Sequence, residues 1–132
     1  MTKASSTNPT TPGTPIQSKI EAAMKRFHEE ERWESIFLFS PEGLLMASQR
    51  TATAYDEENL LEFAFSLIDA VKLLEDDLLV KEITARGRNG KILIFRYFHA
   101  WEDELILAAV VSGKKGYRRA LTRLVKLIQS LG

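Results

Sequence analysis

The residue types that carry out most protein chemistry are sparse in this chain. There are two histidines and no cysteines. The missing thiols exclude disulfides, thiolate nucleophiles and Cys-ligated zinc or iron–sulfur sites. His28 opens the run His28-Glu29-Glu30-Glu31-Arg32, which shares the first two residues of an H-E-x-x-H zinc site but has Arg at the fifth position. A metal needs both imidazoles on one helical face, so His28 is expected to be a surface residue and no metal site is predicted. His99 ends an apolar run without a Ser or Asp partner nearby in sequence. A triad assembles in space rather than in sequence, but nothing here calls for one. Neither G-x-x-x-x-G-K-[ST] nor G-x-G-x-x-G occurs, so the usual cradles for nucleotide phosphates are missing and no cofactor is expected. Arg86 and Arg88 flank a turn, where an arginine finger is conceivable and a solvated pair is the simpler reading.

Charge gives a second set of candidates. From Leu105 onward there are six basic residues and no acidic one: Lys114, Lys115, Arg118, Arg119, Arg123 and Lys126. Gly113-Lys114-Lys115-Gly116 could receive an anion ahead of a helix, although a solvated loop is the commoner use of such a cluster. Arg119, Arg123 and Lys126 share one helical face. With Lys114 and Lys115 they form either a solvated surface or a footprint for an acidic partner. The whole chain balances 18 Lys and Arg against 18 Asp and Glu, which argues against nucleic acid as the partner.

The elements that position these residues follow from periodicity. At 132 residues, 45% hydrophobic and 27% charged, the chain has the size and mix of one soluble domain. Residues 1–15 are Ser, Thr, Pro, Asn and Gly with little to bury, so they are expected to be a disordered tail, with the domain spanning 16–132. No apolar h-region or membrane-length run occurs, so a cytoplasmic location without membrane insertion is expected. Ile16, Ile20, Ala23, Met24 and Phe27 mark a first helix reaching about Arg32. Two apolar runs between Ser35 and Gln49, joined through Pro41 and Gly43, predict a hairpin. Thr51–Tyr55 reads as a loop, and Asp56 as the N-cap of a second helix running to about Asp77. Leu79–Arg86, Lys91–His99 and Leu105–Val111 read as strands. Asn89-Gly90 is expected to form a type I′ turn, and Glu102-Asp103-Glu104 the next turn. Gly116–Leu131 is a third helix. The order is αββαβββα, an α+β, three-layer α/β/α domain with a five-stranded, mostly antiparallel sheet.

The second helix stands out. From Leu60 to Leu74, eleven of fifteen residues are apolar. Leu60, Ala64, Leu67 and Val71 make a face for the sheet, and Leu61, Phe65 and Ile68 add a flank at i, i+4 and i+7. Either another helix covers that flank or it is a subunit interface. In the second case two copies pack antiparallel across a two-fold axis near Phe65, with Lys72 alongside and the edge at Val80, Glu82 and Thr84 pairing with its copy.

The stretch Phe39-Ser40-Pro41-Glu42-Gly43-Leu44-Leu45-Met46-Ala47-Ser48 is similar to the D-x-x-G-hydrophobic-x-hydrophobic-A-S turn of the roadblock/dynein light-chain family, with Ser40 at the acidic position. The element order and the doubly apolar second helix resemble that family over about Ile16 to Leu131. The resemblance implies a homodimer with a continuous sheet and no catalytic residue. It also implies a scaffold function, in motor complexes, in signalling platforms or in bacterial and archaeal regulation of Ras-like small GTPases, including GTPase-activating dimers. The leading expectation is a homodimeric regulator of a Ras-like small GTPase. Alternatives are a PAS- or profilin-like small-molecule sensor, a structural light-chain subunit without a GTPase partner, or a hydrolase.

Overall fold

The computed structural model describes residues 15–40, 42–51, 56–75, 79–112 and 116–131. The expected tail, apart from Pro15, lies outside the described residues, as do most of the expected Thr51–Tyr55 loop and Gly113, Lys114 and Lys115.

Among the described residues, three helices and five strands follow in the expected order: α1 (Pro15–Glu31), β1 (Ser35–Phe39), β2 (Leu45–Arg50), α2 (Glu57–Leu74), β3 (Glu82–Arg86), β4 (Ile92–Ala100), β5 (Asp103–Val111) and α3 (Tyr117–Gln129). All pairings are antiparallel and the strand order is β2-β1-β5-β4-β3. Helix α1 opens on Pro15, where the missing N–H is one the first turn leaves unpaired anyway.

Alternation along the strands sorts the core into two layers. Ile36, Leu38, Ile92, Ile94, Leu105, Leu107 and Ala109 face α1 and α3, where they meet Ile20, Met24, Phe27, Leu121, Leu124 and Ile128. Phe37, Phe39, Phe95, Ile106, Ala108 and Val110 face the other way, onto Leu60 and Ala64 of α2. Strands apolar on both faces need a layer on each side, which is why β1 is buried throughout and β5 from Leu105 onward.

Two turns differ from their sequence reading. Gly90 has φ +88°, but Asn89 is not left-handed, so the turn is not type I′. Instead Gly87 N–H donates to Lys91 O at 2.8 Å and Gly90 N–H to Gly87 O at 3.2 Å, while Asn89 Oδ1 accepts from Lys91 N–H at 3.0 Å. This is a three-residue loop closed by a left-handed glycine. The second difference is at the β4–β5 connection. Asp103 and Glu104 belong to β5, and Ala100 pairs with Asp103. The turn is Trp101-Glu102, both left-handed at φ 54° and 72°. Two nine-residue strands with a fixed register leave only two residues to reverse the chain, and sheet twist then demands positive φ whatever the side chains.

Helix α2 ends at Leu74 rather than near Asp77, and Glu75 is extended. Asp56 holds the N-cap position with extended backbone, but its side chain makes no capping bond.

Backbone strain at these turns is measurable by denaturant unfolding. Glu102→Gly is expected to stabilise by about 0.5–1 kcal/mol by relieving a left-handed non-glycine residue. Gly90→Ala, whose added methyl meets nothing within 4 Å, is expected to cost about 1–2 kcal/mol through backbone strain alone.

Candidate functional site

The wide apolar arc of α2 is the feature to place first. Leu60 and Ala64 are buried on the sheet, Leu67 and Val71 are half-buried, and Phe63 packs edge-on against Phe95 with ring centroids 5.7 Å apart. Tyr97 reaches up from β4, its hydroxyl donating to Ala64 O at 3.4 Å, and burial pushes its pKa up to about 12. Helices α1 and α3 lie across the sheet from α2, so neither covers the Leu61/Phe65/Ile68 flank. Phe65 stays 39% exposed; Leu61 and Ile68 are half-buried. Further along, Leu73 and Leu74 are 87% and 89% exposed, and Leu79, just ahead of β3, is 89% exposed. The side chain of Lys72 lies outside the described residues.

What does touch the flank is the β1–β2 hairpin. Ser40 and Gly43 close it: Gly43 N–H donates to Ser40 O at 3.0 Å, and Ser40 Oγ accepts from Leu44 N–H at 3.1 Å. Gly43 has φ +88°, and a methyl there would sit 3.2 Å from a Phe65 ring carbon and 3.3 Å from Leu61 Cδ2. The turn therefore needs glycine for its conformation and for the close approach of α2. A bulge follows. Phe39 pairs with Leu45 and Leu38 with Ala47, so the extra residue, Met46, changes the facing of the strand. Leu45, 41% exposed, joins Phe39 on the α2 side, while Ala47 joins Leu38 opposite. The hairpin thus turns Leu45 to the α2 side of the sheet, with the 68% exposed Leu44 beside it in sequence. The sequence hinted at this only through Gly43, because the bulge is decided by pairing.

The second component is the sheet edge. Strand β3 pairs with β4 on one side, and its other side has no partner strand among the described residues. Val80 lies just ahead of it, half-buried. The Glu82 side chain is engaged within the chain: Arg96 donates to Oε1 through Nε at 3.0 Å and Nη2 at 2.6 Å, and Thr84 Oγ1 donates to Oε2 at 3.1 Å. Arg118 of α3 lies 3.7 Å from Glu82 Oε2, and Arg96 also donates to Thr122 Oγ1 at 2.9 Å. Burial pushes the Glu82 carboxyl up, but the Arg96 bonds and charge, helped by Thr84 and Arg118, outweigh it and hold the pKa below the usual glutamate value. This network ties the edge strand to α3, leaving the backbone of β3 as its outward-facing feature.

The other candidates fall elsewhere. Arg119, Arg123 and Lys126 are exposed on α3, across the sheet from α2; Lys114 and Lys115 lie outside the described residues. His28 is half-buried rather than at the surface, beside Trp33 and Glu34 at the end of the sheet, and its Nε2 is buried without a hydrogen-bond partner. His99 is exposed, with Nδ1 3.7 Å from Glu104. Arg86 Nη2 reaches the Tyr117 hydroxyl at 3.4 Å. Among the described residues no three His, Asp or Glu side chains gather as a metal site would require. Open clefts among the described residues include one of about 490 Å³ at the sheet end near Trp33, Glu34 and Lys91, and one of about 690 Å³ along the β3–β4 edge near Val80 and Tyr97.

Because the folded-state pKa of Glu82 is depressed, its contribution to stability is complete above the unfolded glutamate pKa and is lost as pH falls through the folded value. Glu82→Gln is expected to cost about 1 kcal/mol at neutral pH. It is also expected to flatten the acid limb of a pH–stability curve measured by chemical denaturation.

No protein-family model matches the chain, and no curated protein matches its sequence. Solved structures do. MglB of Myxococcus xanthus superposes with a TM-score of 0.70 at 15% identity, over 87% of this chain and 88% of that one. The gliding protein MglB of Thermus thermophilus gives 0.70 at 14% identity, over 88% and 90%. A roadblock/LC7 domain from Streptomyces avermitilis gives 0.62 at 14% identity, over 84% and 92%. At these identities the likeness speaks for architecture, and with the antiparallel β2-β1-β5-β4-β3 sheet between α1/α3 and α2 it establishes that the chain has the roadblock/LC7 fold.

Proposed function

We propose that the chain is a non-enzymatic, homodimeric interaction module that binds and regulates a Ras-like small GTPase in the cytoplasm. The observation that carries this reading is the flank of α2: Leu61, Phe65 and Ile68 run along a helix that no second helix among the described residues covers on that side. The similarity to MglB and to a roadblock/LC7 domain supports it at the level of fold. No helix among the described residues is long and apolar enough to cross a membrane.

In this reading two α2 helices pack antiparallel about a two-fold axis at Phe65. The contact is isologous, so positions equidistant from residue 65 face one another. Leu61 then falls opposite Asp69, Glu62 opposite Ile68, and Glu58 opposite Lys72, which sets unlike charges across the axis. The free backbone of β3, with Val80, Glu82 and Thr84 along it, pairs with its copy and continues the sheet into a ten-stranded whole. The GTPase then meets a surface that the two copies build together. Residues 16–132 act as the domain, with residues 1–15 as a tail.

Phe65→Glu is expected to convert the dimer to a monomer in light scattering, weakening self-association about 30-fold or more, as loss of a central aromatic anchor does. A variant that stays dimeric would rule out the α2 interface. The partner is tested by affinity purification from the native host with mass spectrometric identification. A small GTPase in the eluate, with altered GTP hydrolysis or exchange on addition of this protein, is the expected result. Recovery of motor or kinase subunits alone would replace regulation with pure scaffolding.

A further inference from the structure

The zero net charge of the chain hides a separation of charge across the sheet. On one side, Pro15–Arg32 and Tyr117–Gln129 together carry eight Lys and Arg against four Glu. On the other, Asp56–Glu75 carries six Asp and Glu against one Lys. Helix α3 contributes most to the basic side, with Arg118, Arg119, Arg123 and Lys126 all exposed and no acidic residue along its length. Arg119, Arg123 and Lys126 fall within a narrow arc opposite the buried stripe of Tyr117, Leu121, Leu124 and Ile128, on the solvent side of the helix. Arg123 is held by Glu31 at 3.4 Å and stacks on Phe27, and Arg118 leans on Glu82. Arg119 and Lys126 have no acidic partner among the described residues.

We infer that the α1/α3 face is a docking surface for an anionic lipid membrane, with the phosphate and carboxylate headgroups of the bilayer as its ligands. Charge complementarity carries the assignment. A two-helix layer offers a broad surface suited to a planar array of anions, and the acidic α2 layer beyond the sheet is repelled by the same array, so the protein adsorbs in one orientation. The contact is electrostatic and does not insert: on the α1/α3 layer the one exposed large apolar side chain among the described residues is Ile16, at 40%. Binding therefore collapses with salt. In an α2-linked dimer both basic faces lie on the same side of the joined sheet. The dimer then meets the bilayer twice. That doubling, though not the surface itself, rests on the dimer proposed above.

The test is sedimentation of the full chain with vesicles of phosphatidylserine and phosphatidylcholine, against pure phosphatidylcholine. It is run at low ionic strength and again near 1 M salt, where the screening length is about 3 Å. The expected result is binding to the anionic vesicles alone, abolished by salt. Arg119→Glu/Lys126→Glu reverses both charges and is expected to weaken it by at least about 25-fold, the loss that removing two positive charges alone gives at roughly fivefold each. Glu75→Lys, exposed just past the end of α2 on the opposite layer, should leave binding undiminished. Circular dichroism checks folding, and if the double reversal unfolds the protein, Arg119→Gln/Lys126→Gln takes its place and should still weaken binding. The Phe65→Glu variant separates the two readings: loss of avidity with retained lipid selectivity leaves this inference standing. Equal binding to neutral vesicles, no binding at low salt, no effect of either α3 variant, or tighter binding to duplex DNA than to anionic vesicles would each overturn it.

Discussion

The rest of the molecule depends on burying a sheet whose inner strands are apolar on both faces. Strands β1 and β5 send Ile36, Leu38, Leu105 and Leu107 one way and Phe37, Phe39, Ile106 and Ala108 the other, all 7% exposed or less. Such strands cannot leave a face to water, so the chain must supply a layer on each side. It does so unequally. Five strands at about 4.8 Å spacing make a sheet roughly 24 Å wide, and one helix covers about 10 Å of it. The α1/α3 pair comes close to matching that width and buries its side well. Helix α2 works alone, and toward β3 it leaves Ile83, Leu93 and Tyr97 half-buried. The uncovered flank of α2 and the open β3 edge are two expressions of this mismatch.

The same arrangement sorts the charges. Because the sheet separates α2 from α1 and α3, acidic residues gathered on one helix and basic residues gathered on another end up on opposite sides of the molecule. The Glu82–Arg96–Arg118 cluster joins the layers at the β3 edge, where Glu82 answers two arginines and keeps the last strand fastened to α3. A free edge strand with a polar network behind it stays straight and available for pairing, whereas a frayed one would not.

Strain sits where the strands dictate the turn. Trp101-Glu102 holds two left-handed non-glycine residues because β4 and β5 pair over nine residues and fix both ends of the connection. Trp101 also packs against the α1/α3 core, so a bulky residue occupies a position that backbone preference would give to glycine or asparagine. At Gly43 and Gly90 the residue type and the demanded conformation agree, and at Gly43 the absence of a side chain also admits Phe65 and Leu61.

Much of this was legible in the sequence by itself. The periods of the apolar residues gave the number, kind and order of the elements, because burying a helix or a strand imposes a period of 3.6 or 2 on the chain. The excess apolar arc of α2 and the basic stripe on α3 were visible for the same reason. The sequence could not say which helices share a face, since that depends on strand order, and so left open whether α1 or α3 closed over Leu61, Phe65 and Ile68. Pairing also decided the bulge that turns Leu45 toward α2, the loop at Gly87–Gly90, the placement of the β4–β5 turn on Trp101-Glu102, and the meeting of Glu82, Arg96 and Arg118 across three elements. Local composition sets what each segment prefers to be. The sheet register, which sums contacts far apart in the chain, sets which preferences yield.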